Sequence, residues 1–351
     1  PMPLWVNWLP TPFYPSSPYQ QPDRCSQMGV PLTPLRLGLI LTYRCNASCR
    51  HCYFNAGPSK TEEMSKREAL NYLDQAAEFS TLRMVSLTGG EPFLLPELLR
   101  EALSHASDMG LKTEVVTNCF WAENEEGTRE QLGSLADAGL DVINISADDF
   151  HQEFIPFNYV RNCYEAAKEL GLKITILCSV SKSSRLRVEK IVDLLGDANI
   201  QILGGGTLAP DITKAYAMAV ETAFIPAGRG SQIPRGEWII GHSPAIGPCP
   251  HVLRDIAIEP SGGVLPCCSA AGHIGSLNLG NAKREPLSRI IKRANRREVF
   301  NVLARRGPQG LLDITEGDIQ GNYVNECHLC YESLLGLERR GHLQTPRLLE
   351  R

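Results

Sequence analysis

The sequence predicts an α/β protein, a partial (β/α)6 TIM-like barrel followed by a small C-terminal domain built around metal. Three observations predict it. From Arg36 onward, short apolar runs alternate with stretches whose apolar residues recur at helical spacing. Near residue 230 that rhythm stops, and Gly, Pro and Cys take over. The cysteines fall in groups, the first of them just past the first strand segment.

The elements follow in order. "RLGLILTY" reads as a strand, and "SKREALNYLDQAAEFS" as a helix started by Ser65. "RMVSLTG" is the second strand, followed by "LPELLREALSHASDMG", a helix closed by Gly110. Next come "KTEVVTN", a helix around "TREQLGSLADAG", the strand "DVINISA" and a helix around "NYVRNCYEAAKELG". "KITILCSV", a helix through "LRVEKIVDLLG" and a sixth strand, "NIQILGG", complete the series. Such alternation implies right-handed crossovers and a parallel sheet. The chemistry of a barrel of this kind sits at the C-terminal ends of its strands. Beyond residue 230, "DIAIEPSGGVLPC" fits a hairpin turning at Ser261–Gly263, and a helix spans about Pro286 to Ala304. The domain boundaries are therefore a proline-rich arm at 1–35, the barrel at 36–230, the small domain at 231–335 and a charged tail at 336–351.

The 351 residues carry a net charge of −4, so nothing points to nucleic acid. No apolar run approaches the roughly 18 residues that span a bilayer, and the N-terminal stretch lacks the apolar core of a signal peptide. A cytoplasmic protein without a membrane partner is the expectation. Twelve cysteines in such a chain read as metal ligation rather than as a disulfide framework. Cys25, Cys119, Cys163 and Cys178 stand apart and read as small buried hydrophobes.

Cys45, Cys49 and Cys52 occupy the loop after the first strand. Three thiolates can hold three corners of an iron–sulfur cubane and leave one iron open, whereas electron-transfer clusters take four cysteines. A Cys3His zinc site that recruits His51 is the alternative. "LTGGEP" ends the second strand. Gly89 and Gly90 permit close backbone approach, and Glu91 can accept from an ammonium group. Asn118, Ser146, Asp148 and Asp149 stand at further strand ends.

Together these residues resemble the radical S-adenosylmethionine (SAM) superfamily. The resemblance implies that the cysteine triad holds a 4Fe–4S cluster whose fourth iron is chelated by SAM. It also implies that the Gly-Gly-Glu turn receives the SAM ammonium, and that an external one-electron reductant such as flavodoxin or ferredoxin drives SAM cleavage to a 5′-deoxyadenosyl radical. Asn118, Ser146 and Asp148 would contact the methionine and ribose portions. Tyr53, Phe54 and His51 would flank adenine, and Arg229 in "PAGRG" would reach toward SAM.

Cys249, Cys267, Cys327 and Cys330 resemble the ligand set of the twitch domain, the shortened SPASM extension, which implies a second, auxiliary 4Fe–4S cluster. A four-cysteine zinc ribbon is the alternative. Cys268 is left over, and can be a buried thiol, an alternative ligand or a hydrogen-atom donor. "RCNASCRHC", "VVTNCFW", "SADDFH", "LPCCSAA" and "CHLC" are similar to radical SAM peptide epimerases of pathways that modify ribosomally made peptides (RiPPs). That similarity implies L-to-D conversion in a peptide precursor, with Cys268 returning hydrogen and Asp255 holding substrate. The connection from Cys249 to Asp255 departs from that family's pattern. Crosslinking, dehydrogenation or action on a small molecule such as an aminoglycoside remains the alternative.

Overall fold

The computed structural model describes residues 31–203, 215–241, 247–315, 323–341 and 343. Residues 1–30 of the proline-rich arm and 344–351 of the tail lie outside the described residues. The organising element is β1 (Arg36–Thr42), which has a parallel neighbour on each side. On one side follow β2 (Met84–Gly89), β3 (Lys112–Thr117), β4 (Val142–Ser146) and β5 (Lys173–Val180), each parallel to the one before.

The crossover helices are α1 (Lys66–Ala77), α2 (Pro96–Asp108), α3 (Glu125–Asp137), the single turn α4 (Asp149–Gln152), α5 (Phe157–Glu169) and α6 (Val188–Leu195). Local chemistry fixes their ends. Ser65 accepts from the Glu68 amide while the Glu68 side chain reaches back, a complete capping box. Asn124 caps α3, and Gly196 closes α6 in the left-handed region at φ 71°. Alternation along β1 sends Leu37, Leu39 and Leu41 into the main core with the helices, while Ile40 faces the other way with Ala257 and Leu265.

The sixth strand differs from expectation. "NIQILGG" supplies only the three-residue β6 (Gln201–Leu203), at the sheet edge. The place beside β5 belongs to β7 (Ala217–Ala223), paired from Ile174–Ala217 through Val180–Ala223. β7 is the longer and more buried run, so it takes the position where both flanks are paired.

The hairpin of β8 (Asp255–Ile258) and β9 (Gly263–Leu265) forms as expected, with Ala257 opposite Leu265 and the turn at Ser261–Gly263. It does not form a sheet of its own. β8 runs parallel to β1 from Arg36–Asp255 to Leu39–Ile258, and β10 (Gly280–Asn281) adds to β9. The described strands thus form one sheet ordered β10-β9-β8-β1-β2-β3-β4-β5-β7-β6. Gly38 permits the junction, because a side chain there would press on Ala257 at 3.3 Å.

The helix expected over 286–304 is two, α7 (Leu287–Ala294) and α8 (Glu298–Thr315). Asn295 breaks it: its side chain binds both the amide and the carbonyl of Leu32, and its carbonyl accepts from Asn301. α8 kinks at Gly307 (φ 65°), where the Gly247 carbonyl leaves no room for a side chain. α9 (Glu326–Arg339) carries "CHLC" and continues past residue 335, so the first part of the expected tail is helix.

Candidate functional site

The three-cysteine loop begins where β1 ends, and the backbone of the second strand end closes on it. The Gly90 amide donates to Thr42 at 2.7 Å, and the Glu91 amide to Arg44 at 3.0 Å. Gly89 has φ +148°, and a side chain on it would strike the Thr42 carbonyl; one on Gly90 would strike those of Arg44 and Tyr43. The two glycines therefore serve backbone-to-backbone contact between the loops. Cys45 and Cys49 are buried in an apolar pocket with Ala47, Ala56, Phe150, Phe224 and Ile233, and Cys52 and Trp238 pack against it. Burial pushes the Cys45 thiol up to about 12 and raises Cys49 as well. Thiols held in this way become thiolates when metal replaces the proton.

Glu91 follows the end of β2 beside the cysteine loop, and its carboxylate has partners within the protein. Its side chain is 1 % exposed and fully engaged within the protein. Oε2 accepts from the Asn118 amide at 2.8 Å, while Oε1 accepts from Thr117 Oγ1 at 2.9 Å and from the Phe93 amide at 3.2 Å. Burial raises its pKa to about 7 against the opposing pull of those bonds. The carboxylate ties the ends of β2 and β3 together. Asn118 in turn points its amide nitrogen at Asn46 Oδ1, 2.9 Å away, and at Cys45 Sγ, 3.7 Å away.

At the end of β4, Ser146 is half-buried and Asp148 is 1 % exposed. Burial alone would raise Asp148, but the His151 imidazole 2.9 Å away and its hydrogen bonds outweigh burial and hold it near 2. Asp149 accepts from the amides of Arg185 and Leu186. His51 stacks on Phe150 with ring centroids 4.6 Å apart, and burial lowers its pKa to about 4. Its ligand atom lies within 4.8 Å of those of Asp148 and His151, so it groups with them. His151 was legible only as the last residue of "SADDFH".

Arg229 reaches the cysteine loop through backbone: its Nε donates to the Cys49 carbonyl at 3.0 Å and its amide to the Cys52 carbonyl at 3.1 Å. Gly228 (φ +55°) makes this possible, since a side chain would lie 2.5 Å from the Tyr53 carbonyl. Tyr53 lies across from the hairpin, its hydroxyl donating to the Cys268 carbonyl at 3.0 Å.

The second group of thiols also assembles. All described cysteines are free. Burial raises Cys249 to about 11 and lifts Cys267, Cys327 and Cys330 too, and next to burial it is their own mutual charges that raise Cys327 and Cys330. Cys249, Cys267, Cys327 and Cys330 are unpaired and lie near enough to act on one another electrostatically, as thiols that share one cluster would, and Cys45, Cys49 and Cys52 offer three more free thiols in one loop. His328, between Cys327 and Cys330, meets Trp238 edge-on at 5.3 Å; the sequence pattern gives neither residue a role.

Cys268 is exposed, yet protein surrounds it closely enough that burial pushes its thiol up to about 12. After burial, Asp255 and Arg36 act on it most strongly. Asp255 is 2 % exposed and pairs with His251 Nδ1 at 2.5 Å, while Arg36 pairs with Glu114.

Among the described residues, no helix is long and apolar enough to cross a membrane. Comparison with known families matches residues 39–195 to the radical SAM superfamily and residues 249–331 to the SPASM iron–sulfur cluster-binding domain. The chain is 24% identical over 297 residues to the Bacillus subtilis (strain 168) protein YydG, whose name places it in peptide biosynthesis, covering 84% of this chain and 88% of that one. It is 26% identical over 289 residues to the PqqA peptide cyclase of Rhizobium meliloti (strain 1021), covering 75% of each. Among solved structures, Streptococcus suis SuiB bound to the precursor peptide SuiA superposes with a TM-score of 0.54 at 16% identity, covering 88% of this chain and 78% of that one; it shares the fold. The chain therefore carries a radical SAM domain followed by an SPASM domain, a pair that implies SAM and two 4Fe–4S clusters as its cofactors.

Proposed function

We propose that the chain modifies a ribosomally made peptide by epimerisation, converting an L-residue to a D-residue. The observation that carries this reading is Cys268, an exposed free thiol next to Cys267 and near enough to Cys327 to act on it electrostatically, which a four-cysteine site made of Cys249, Cys267, Cys327 and Cys330 would leave unused. The YydG relative and the shared fold with a peptide-bound enzyme support a peptide as substrate. When bound at Cys45, Cys49 and Cys52, the cluster with SAM supplies a 5′-deoxyadenosyl radical, which removes the Cα hydrogen and leaves as 5′-deoxyadenosine. Cys268 then gives its S–H hydrogen to the opposite face of the flattened carbon. Its thiyl returns to thiol with one proton and one electron from an external reductant of the flavodoxin or ferredoxin class. Asp255, fixed by His251, orients substrate beside that thiol.

Crosslinking is the second reading, favoured by the peptide cyclase relative. Mass spectrometry in heavy water separates the two, because epimerisation adds about one mass unit per event and crosslinking removes about two. Replacing Cys268 with alanine sharpens the test. Both clusters and SAM cleavage should persist while D-residue formation falls to background. Normal D-residue yield from that variant, or loss of auxiliary-cluster iron, would refute the donor role.

A further inference from the structure

We infer that Tyr53 is a positioning residue that holds the Cys268 turn in register with the three-cysteine loop. It follows Cys52 directly, and its hydroxyl crosses to the Cys268 carbonyl at 3.0 Å. Cys268, Cys52, Cys267 and Cys327 all lie near enough to this residue to act on it electrostatically. Both ends of this link are stiff. At one end, the Arg229 amide and the close approach of Gly228 clamp the backbone around Cys52 and Tyr53. At the other, Ser269 accepts from the Ala271 amide, and the Cys267 carbonyl packs so closely on Gly272 that no side chain fits there. The turn that carries Cys268 has no slack.

Neighbouring contacts run the same way. Tyr53 packs on Phe54 at 4.4 Å, and Phe54 meets His273 edge-on at 5.1 Å. His273 lies 3.8 Å from Glu259 on the hairpin, and Glu259 accepts from the Tyr43 hydroxyl at 2.5 Å. These hold the hairpin to the end of β1, whereas the Tyr53 hydroxyl alone reaches the donor residue among the hydrogen bonds described. A hydrogen atom passes only between atoms near van der Waals contact, so the turn's position sets how often the substrate radical is quenched productively.

The test is Tyr53→Phe, which keeps the ring and its packing and deletes one hydrogen bond. In the reconstituted, anaerobic holoenzyme, amide hydrogen exchange in residues 267–274 should quicken by about fivefold, the change that losing one net hydrogen bond permits. Exchange around Cys119 and Cys163 should be unchanged, as should iron content. In turnover, the ratio of 5′-deoxyadenosine formed to D-residue formed should rise by several fold. Unchanged exchange in 267–274, or a uniform increase across the molecule, overturns the inference. The turnover readout rests on the epimerase reading, but the exchange readout does not. Wild-type enzyme that makes no D-residue would sink the former and leave the latter decisive.

Discussion

Glu91 offers the sharpest test of how the SAM end of the barrel is held together. The perturbation is Glu91→Ala. In the folded protein the carboxylate satisfies three donors, Asn118 N, Thr117 Oγ1 and Phe93 N, at 2.8, 2.9 and 3.2 Å. Two belong to the β3 end and one to the turn that starts the next crossover, and all lie where solvent barely enters. An orphaned buried donor costs about 1–3 kcal/mol. Water admitted to the space left by the side chain recovers part of that, so the net destabilisation should be about 3 kcal/mol. The assay is denaturant unfolding of the apo-protein, followed by far-ultraviolet circular dichroism, with SAM binding to the reconstituted enzyme measured separately. A carboxylate acting only on the SAM ammonium would weaken SAM binding and leave apo-protein stability unchanged. A shift in stability below about 1 kcal/mol would therefore refute the tie described above.

Three further outcomes follow from other parts of the site. Replacing Cys45, Cys49 and Cys52 together with alanine should abolish SAM cleavage and remove about four of eight irons, leaving auxiliary absorbance intact; 5′-deoxyadenosine at the wild-type rate would sink the ligand assignment. Gly90→Ala should push the Gly-Gly turn off the Arg44 and Tyr43 carbonyls and lower stability by about 2–3 kcal/mol, with SAM affinity falling in parallel; an unchanged unfolding midpoint would contradict the close packing. Burial alone would raise Glu68, but the Lys283 ammonium and the Ser65 cap outweigh it and hold it near 2. Its stabilisation is thus present above the ordinary carboxylate pKa and lost as pH falls toward 2. Because the pair is partly exposed, it contributes less than about 1 kcal/mol. Glu68→Gln should lose that amount at neutral pH and only a small part of it at pH 2, and equal losses at both would be evidence against the charge assignment.

Most strand and helix segments were legible because each carried its own period and its own cap. Ser65 with Glu68 and the closing Gly196 announce helix ends in the sequence itself. Cysteine grouping pointed to two thiol sets for a similar reason, since a thiol's capacity as a ligand is written in residue type and spacing. What stayed illegible depends on partners distant in sequence. β7 competes with β6 for the place beside β5, and only pairing length decides. The break at Asn295 exists because its side chain clasps Leu32, 263 positions away. Glu91 has the residue type for binding an ammonium, but its contacts with Thr117 and Asn118 come from the next strand end and are not written in its own stretch.

The register of β8 on β1 joins these pieces into one functional argument. Had the hairpin formed a sheet of its own, Cys268 could lie at any distance from the three-cysteine loop. Instead β8 extends the barrel sheet with Asp255 level with Arg36, so the hairpin and the barrel strands share one continuous backbone-bonded sheet. A parallel ladder fixes position to within a residue, because a one-residue slip would turn Asp255 and Ala257 to the opposite face of the sheet. Gly38 is the residue that lets this sheet continue, accepting Ala257 where a larger side chain would hold the hairpin off. The placement of the candidate hydrogen donor relative to the SAM loop thus rests first on strand pairing and then on Tyr53. A bulky residue at Gly38 should consequently disturb Cys268 from the far end of the same sheet, without touching any thiol.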